Sequence, residues 1–393
     1  MKVLYFAPAA TPEDPSMCPF VTHRVLELQR QGHQVVVLQF GRLFLEDSAK
    51  AETGGFLRRI KRLCRSAIPG KRKTFDGEIG SFRYYDSLSF RSYADFGEWF
   101  RKNGFDLIHA HFLWFAKELP RLKKDLGVPY VVTVHGSDMH ELTPYDKEAV
   151  DESLRILDNA NASLFVSDFL LRHARSLGFS GANAKIVHNG VDLPRFSPLP
   201  PDSRESGRPL TLGFVGHPNF VKRPDVLPDV LRIVKRDFPS AKLLFVGSDY
   251  GNLLPYIKYK TWQLGLMDDV DFVPTVPPEQ VGNYLRKMDV LLLPSRNEGF
   301  PCIALEAQAC GIGVVGSANG GIPEAVGTNG VCVPESDSFV RDYAAAIVQW
   351  LKEEHSPEKI AAAVGGCSWE NCVKEEIETY KAVKEQNRAE NPL

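Results

Sequence analysis

Glu298 and Glu306 stand eight positions apart in the stretch Asn297-Glu298-Gly299-Phe300-Pro301-Cys302-Ile303-Ala304-Leu305-Glu306. An ionised carboxylate only accepts hydrogen bonds, so this pair suits a ligand with hydroxyl groups at both ends, as sugars carry. Pro301 is placed to open a helix and Gly311 to end it. The start of such a helix offers unpaired N–H groups and a positive dipole end, which together hold phosphate. Two glutamates so spaced also arise on an ordinary solvated loop and an exposed helix face; the surrounding residues decide between the two.

Those surroundings are strands. Val290-Leu291-Leu292-Leu293-Pro294 reads as a buried parallel strand running into the glutamate loop. Further strands are predicted at Val3–Ala7, Val35–Phe40, Phe82–Tyr85, Leu107–Ala110, Val131–Val134, Leu164–Val166 and Ile186–His188, then at Leu210–Val215, Leu243–Val246, Val270–Val273, Gly313–Val315 and Val331–Val333. Strands alternating with helical patterns build doubly wound parallel sheets, and the alternation runs twice. The fold class is therefore α/β with two Rossmann-like domains, residues 1–193 and 210–366. The linker, 194–209, carries five prolines, and a terminal helix occupies 367–393. Gln386 to Leu393 read as a polar, fraying tail. Ligands of such folds sit at the carboxyl ends of strands, here expected in a cleft between the domains.

Other residues fall at those ends. Val131–Val134 runs into His135, Gly136 and Asp138; Gly136 lets the backbone approach a ligand, and Asp138 also suits a cap on the next helix. His109 and His111 alternate on one strand; with no third ligand nearby they read as packing or cleft lining rather than a metal site. After the linker, Gly216-His217-Pro218 leaves a strand, and Lys222-Arg223-Pro224-Asp225 opens the next helix. Basic residues at a helix start are mildly unfavourable, which points to a functional reason for Lys222 and Arg223.

The Asn297–Glu306 stretch, with the downstream loop Gly320-Gly321-Ile322-Pro323-Glu324, resembles the donor-site motif of retaining glycosyltransferases of family 4. The likeness runs over nearly the whole chain and is strongest from Lys185 to Val333. It implies the GT-B fold, in which the first domain binds an acceptor and the second a nucleotide sugar, UDP- or GDP-linked. It implies transfer of a hexose-type sugar to a hydroxyl acceptor with retention, without metal and without any cofactor beyond the nucleotide sugar. Carried residue by residue, Glu298 bonds the donor sugar, Glu306 the ribose hydroxyls, and Lys222 the diphosphate. Gly299, Phe300, Cys302 and Ile303 line the helix start. His135 touches the sugar near its reacting carbon, and Asp138 either contacts the acceptor or holds His135. His135, Glu298 and Lys222 form the expected catalytic set. The chain departs from the family pattern in three places. His217 stands where an arginine is usual, with Arg223 available to replace its charge. Pro274 stands where a glycine is usual beside the base. Pro8–Pro19 lacks the usual glycine-rich loop, and no GxGxxG marks a nicotinamide or flavin site.

Phe56, Leu57, Ile60, Leu63, Cys64, Ala67 and Ile68 share one face of a helical pattern, while Arg58, Arg59, Lys61, Arg62 and Arg65 share the other; Lys71-Arg72-Lys73 follows. A basic amphipathic helix of this kind reads as docking on an anionic membrane surface, each basic residue worth about 1 kcal/mol there. The alternative is an ordinary amphipathic helix packed on its domain. No aromatic residues interleave the charges, so nucleic acid is not the expected partner. The whole chain of 393 residues carries a net charge of only −2, which fits that exclusion. Seven cysteines without a CxxC pair fit a reducing compartment. With no spanning run and no leader, the expected location is cytoplasmic, peripheral on the inner face of the cell membrane. A lipid-linked glycan acceptor in polysaccharide or glycolipid assembly follows from that placement. Alternative readings are a sugar-nucleotide epimerase or phosphorylase on the same fold, and a non-catalytic nucleotide-sugar binder.

Overall fold

Among the described residues, fourteen strands carry the fold: β1 Lys2–Phe6, β2 Gln34–Leu38, β3 Asp76–Ile79, β4 Phe82–Tyr85, β5 Leu107–His111, β6 Tyr130–Val134, β7 Ala162–Phe165, β8 Ala184–Ile186, β9 Thr211–Val215, β10 Lys242–Val246, β11 Val270–Val273, β12 Val290–Leu293, β13 Gly313–Ser317 and β14 Gly330–Val333. The computed structural model describes residues 1–8, 18–39, 76–79, 82–85, 90, 92–140, 142–200, 207–249 and 253–390. The expected docking helix with Arg58, Arg59, Lys61, Arg62 and Arg65 lies outside these residues, as does most of the Pro8–Pro19 loop. The chain divides into two compact units. Unit 1 is Met1–His188 with Trp369–Leu393, and unit 2 is Asn189–Ser368.

Unit 1 holds a sheet in the order β3-β4-β2-β1-β5-β6-β7-β8. Its neighbours pair in parallel except β3, which runs antiparallel to β4 at the edge. The sequence reading missed β3 because Asp-Gly-Glu-Ile has no apolar run; an edge strand needs none. Strands β5 and β6 are buried along their whole length, which is why they read as continuous apolar runs apart from their histidines and threonine. Helices fill the crossovers and start where their caps dictate. Ser92 accepts the Asp95 amide at 3.1 Å and Ser167 that of Leu170 at 3.3 Å. The terminal helix Trp369–Glu390 belongs to this unit and packs on the helix Pro19–Arg30. Its helical conformation runs to Glu390, past the Gln386 at which the polar tail begins.

Unit 2 holds six parallel strands in the order β11-β10-β9-β12-β13-β14. Its core joins Leu212, Phe214, Phe245 and Leu292 to Tyr343 and Ile347 of the helix Phe339–Lys352. Chain order reverses between β9 and β12 in this unit and between β1 and β5 in the other. At such reversals the loops leaving neighbouring strands diverge and open a crevice.

Candidate functional site

In unit 2 the loops leaving β9 and β12 meet at that reversal. Two glycines let neighbouring loops touch: Gly247 has φ +153, and a Cβ there would lie 2.0 Å from the Gly216 carbonyl oxygen. Lys222 closes the first loop, and its Nζ donates to Glu298 Oε1 at 2.5 Å. Ser295 Oγ donates to the same oxygen at 2.9 Å. The Glu298 carbonyl accepts the Gly321 amide at 2.8 Å. Gly320, at φ +62, lies so near that a Cβ would stand 2.4 Å from that carbonyl, so no other residue fits. Glu298 is thus pinned through its carboxylate and its backbone by three separate segments.

The helix Cys302–Ala309 follows. Pro301 precedes it at φ −73 and ψ 108, and no side chain caps its start. The Ala304 amide turns back to the Pro301 carbonyl at 3.0 Å, and Asn189 donates to the Phe300 carbonyl at 3.1 Å. The helix start therefore presents backbone donors rather than a capping oxygen, the arrangement that receives an anion. Gly299, Phe300, Cys302 and Ile303 form this start. Glu306 is half-buried on the helix. Desolvation pushes its carboxyl up to about 7, Arg195 pulls it down and Asp192 raises it again. Lys222 reaches Glu298 from the loop after β9, and Glu306 lies on the helix that begins just after Glu298.

Two of them stand differently from expectation. Arg223 adopts a left-handed conformation, φ 52, and its Nη1 donates to both Glu335 oxygens, at 2.8 and 2.9 Å. Its guanidinium lies 4.1 Å over Phe339. The expectation that Arg223 replaces the charge missing at His217 is corrected: Glu335 already pairs with it, both carboxylate oxygens on Nη1. His217 points Nδ1 at the Ser248 carbonyl, 3.3 Å away. Pro274 is exposed just beyond β11, where Ser248 and Thr275 exchange hydrogen bonds of 3.0 and 2.8 Å between neighbouring loops.

In unit 1, His135 follows β6. Asp138 Oδ1 accepts the amides of His135 and Gly136 at 3.1 and 2.8 Å, and Oδ2 accepts that of Leu113 at 3.0 Å. Burial pushes Asp138 up to about 6, against the pull of those backbone donors. Asp138 is buried and, of the roles expected for it, the one these bonds display is holding the His135 loop. His135 Nε2 lies 2.8 Å from His111 Nδ1, one ring donating to the other. Phe20 and Phe112 flank the His135 ring at 4.6 and 4.7 Å. Behind His111 stands His109, ring centroids 4.2 Å apart, which bonds Thr133 at 2.7 Å and Tyr380 of the terminal helix at 2.5 Å. Desolvation holds all three histidines well below the usual imidazole range, aided by the positive charge of Arg24. They are neutral donors and acceptors, not cations. The ring atoms His135 Nδ1 and His111 Nε2 are buried without a hydrogen-bond partner.

Sequence reasoning missed Ser295 as a support of Glu298 and Arg195 as the cation near Glu306, and it read His111 only as packing or lining. The His-Ala-His alternation held the signal for His111. Nothing local marks Ser295 or Arg195, whose partners are distant in sequence.

A family model for glycosyl transferases group 1 matches residues 198–364, and one for glycosyltransferase family 4 matches residues 20–195. The chain is similar to a D-inositol 3-phosphate glycosyltransferase of Mycolicibacterium smegmatis, with 30% identity over 73% of this chain and 70% of that protein. The same-named protein of Corynebacterium urealyticum is 27% identical over 82% of this chain and 78% of its own length. Among solved structures, sucrose-phosphate synthase of Thermosynechococcus elongatus superposes with a TM-score of 0.72 at 19% identity, covering 98% of this chain and 99% of that one. HepE of Anabaena, in complex with UDP, gives 0.71 at 16% identity, covering 97% and 100%. At these identities the structural likeness establishes the fold, the GT-B architecture. Among the described residues no helix is long and apolar enough to cross a membrane.

Proposed function

The chain belongs to glycosyltransferase family 4, the group 1 glycosyl transferases, and from that membership we propose that it is a retaining, metal-independent hexosyltransferase using a nucleoside diphosphate sugar. The observation that carries this reading is the meeting of Lys222 and Glu298 beside an uncapped helix start. As the bond between sugar C1 and the phosphate oxygen breaks, negative charge grows on the diphosphate. Lys222 and the amides at the start of Cys302–Ala309 receive it in place of a metal ion. The acceptor oxygen bonds C1 on the face the phosphate leaves, and its proton passes to the departing phosphate oxygen, which preserves the configuration. Glu298 accepts hydrogen bonds from the sugar and Glu306 from the ribose. His135, neutral and braced by His111, takes the sugar-positioning role that the family motif implies, with Asp138 holding its loop.

The donor class is a UDP-linked hexose; structures of the similar HepE hold UDP and UDP-glucose. The acceptor is a hydroxyl on a glycan or glycolipid at the inner membrane surface, and the protein is cytoplasmic and peripheral. The basic residues Arg58, Arg59, Lys61, Arg62 and Arg65 support that placement. The test is consumption of UDP-glucose and related nucleotide sugars, alone and with membrane lipid extract, by wild type and by Glu298→Ala. The reading expects turnover that the variant loses while keeping its fold. Equal turnover by both removes Glu298 from the site. Replacing Arg58, Arg59, Lys61 and Arg62 with Gln should abolish binding to anionic vesicles; unchanged binding discards the membrane surface.

A further inference from the structure

The donor loops hold a charge problem. The family usually places an arginine at position 217, and this chain has His217. Its Nδ1 lies 3.3 Å from the Ser248 carbonyl, and an imidazole ring has no forked pair of donors to grip a phosphate as a guanidinium does. Arg223 is engaged by Glu335. Lys222 alone supplies one point charge against a diphosphate, and Glu298 already draws on it.

We propose that Arg296 supplies the missing guanidinium and binds the donor diphosphate together with Lys222. Arg296 lies two residues before Glu298, on the loop leaving β12. Its amide donates to the Val221 carbonyl at 2.7 Å, directly ahead of Lys222, so the two loops are joined at this point. Its side chain runs along the β9 loop and rests on Phe220, with the guanidinium carbon 4.4 Å from the ring centroid. Among the described residues no carboxylate pairs with it, and its Nε is buried without a partner. Stacking on an aromatic face fixes a guanidinium and uses none of its in-plane donors. Phe220 is 73% exposed, an unusual position for a phenylalanine unless its ring serves as such a platform. A half-buried, preoriented guanidinium with no carboxylate partner among the described residues, on the loop tied to the segment ahead of Lys222, is the complement of a dianionic diphosphate, which it can bind through two parallel N–H groups. The charge therefore sits on the loop after β12 instead of the loop after β9, at the same crevice.

This inference rests on the donor reading above, and calorimetric titration with UDP and with uridine separates the two. In the wild type, UDP should bind more tightly than uridine. Arg296→Gln should weaken UDP about 10- to 100-fold, the worth of a charge-assisted contact, and leave uridine unchanged. Arg296→Lys should fall between. His217→Arg introduced into Arg296→Gln should restore UDP affinity, which no folding defect would do. If UDP binds the wild type and Arg296→Gln equally well, Arg296 has no phosphate role. If neither UDP nor GDP binds the wild type, the donor reading fails and this inference with it.

Discussion

The two units solve the same problem, holding a reactive side chain at a strand end, by opposite means. In unit 1, His135 is braced by uncharged groups: a second histidine, two phenylalanine rings and backbone amides gathered by Asp138. In unit 2, Glu298 is braced by an ion pair, a hydroxyl and glycine-lined backbone contacts that leave charge near the surface. The first arrangement excludes protons and keeps a neutral donor or acceptor ready. The second sets a lysine against an acidic anchor and keeps charge at the strand end. One fold, used twice, thus braces one strand-end side chain with neutral groups and the other with an ion pair.

The sharpest way to break that contrast is to remove the charge buried behind the first site. Arg24 and Glu376 form an ion pair in which neither side chain is exposed. Glu376→Ala removes the buried carboxylate paired with Arg24 and should cost about 3–5 kcal/mol of stability. Hydrogen exchange should place the loss in unit 1, on β1, β5 and the terminal helix, with β12 and β13 unaffected. A uniform loss over both units would show them to be one cooperative body.

Next in size is Glu298→Ala, which should lower kcat about 10²- to 10³-fold, as loss of one preorganised contact does, with little change in melting temperature. Gly320→Ala follows. It forces a Cβ to within 2.4 Å of the Glu298 carbonyl at a positive φ, and should cost about 1–3 kcal/mol and weaken donor binding by moving the loop. His135 and unit 1 should be indifferent to it. A variant with unchanged donor affinity would show that Glu298 does not depend on this brace.

The smallest effect is the response to pH, and its sign differs between the sites. His109, His111 and His135 are held well below 6.5. The unfolded chain therefore takes up protons that the fold refuses, and the stability they contribute, present above pH 6.5, is lost as the pH falls. Glu306 is raised from 4.5 to about 7, so its contribution is present below pH 4.5 and lost as the pH rises through about 7. Asp138, raised from 3.8 to about 6, behaves like Glu306 and offsets part of the histidine effect in unit 1. Acidification from about pH 7.5 to 5.5 should loosen β5 and β6 relative to β12. Parallel shifts in both units would dissolve the distinction.

Much of this was legible in the sequence, for a physical reason. Strands covered on both faces must be apolar throughout, so β12 stands out as Val-Leu-Leu-Leu and its bounds, Val290–Leu293, match expectation. Helix Cys302–Ala309 is announced by Pro301 and closed before Gly311, because proline and glycine act through local backbone geometry. What was not legible depends on pairs far apart in the chain. Arg223 looked available because its partner Glu335 lies 112 residues away. The bond from His111 to His135 crosses 24 residues and two strands. Strand β3 was invisible because an edge strand can form from Asp-Gly-Glu-Ile when β4 supplies its hydrogen bonds.

The terminal helix gives the chain an unusual order of assembly. Arg24 and Glu376 are 352 residues apart, with all of unit 2 between them. At about 5–20 residues per second, a ribosome takes roughly 20–70 s to deliver the second after the first. During that wait unit 2 can emerge and close, while the earlier-made unit stays incomplete, its Arg24, Tyr5 and His109 still lacking Glu376 and Tyr380. A premature stop near the end of the message therefore disables the half that was synthesised first.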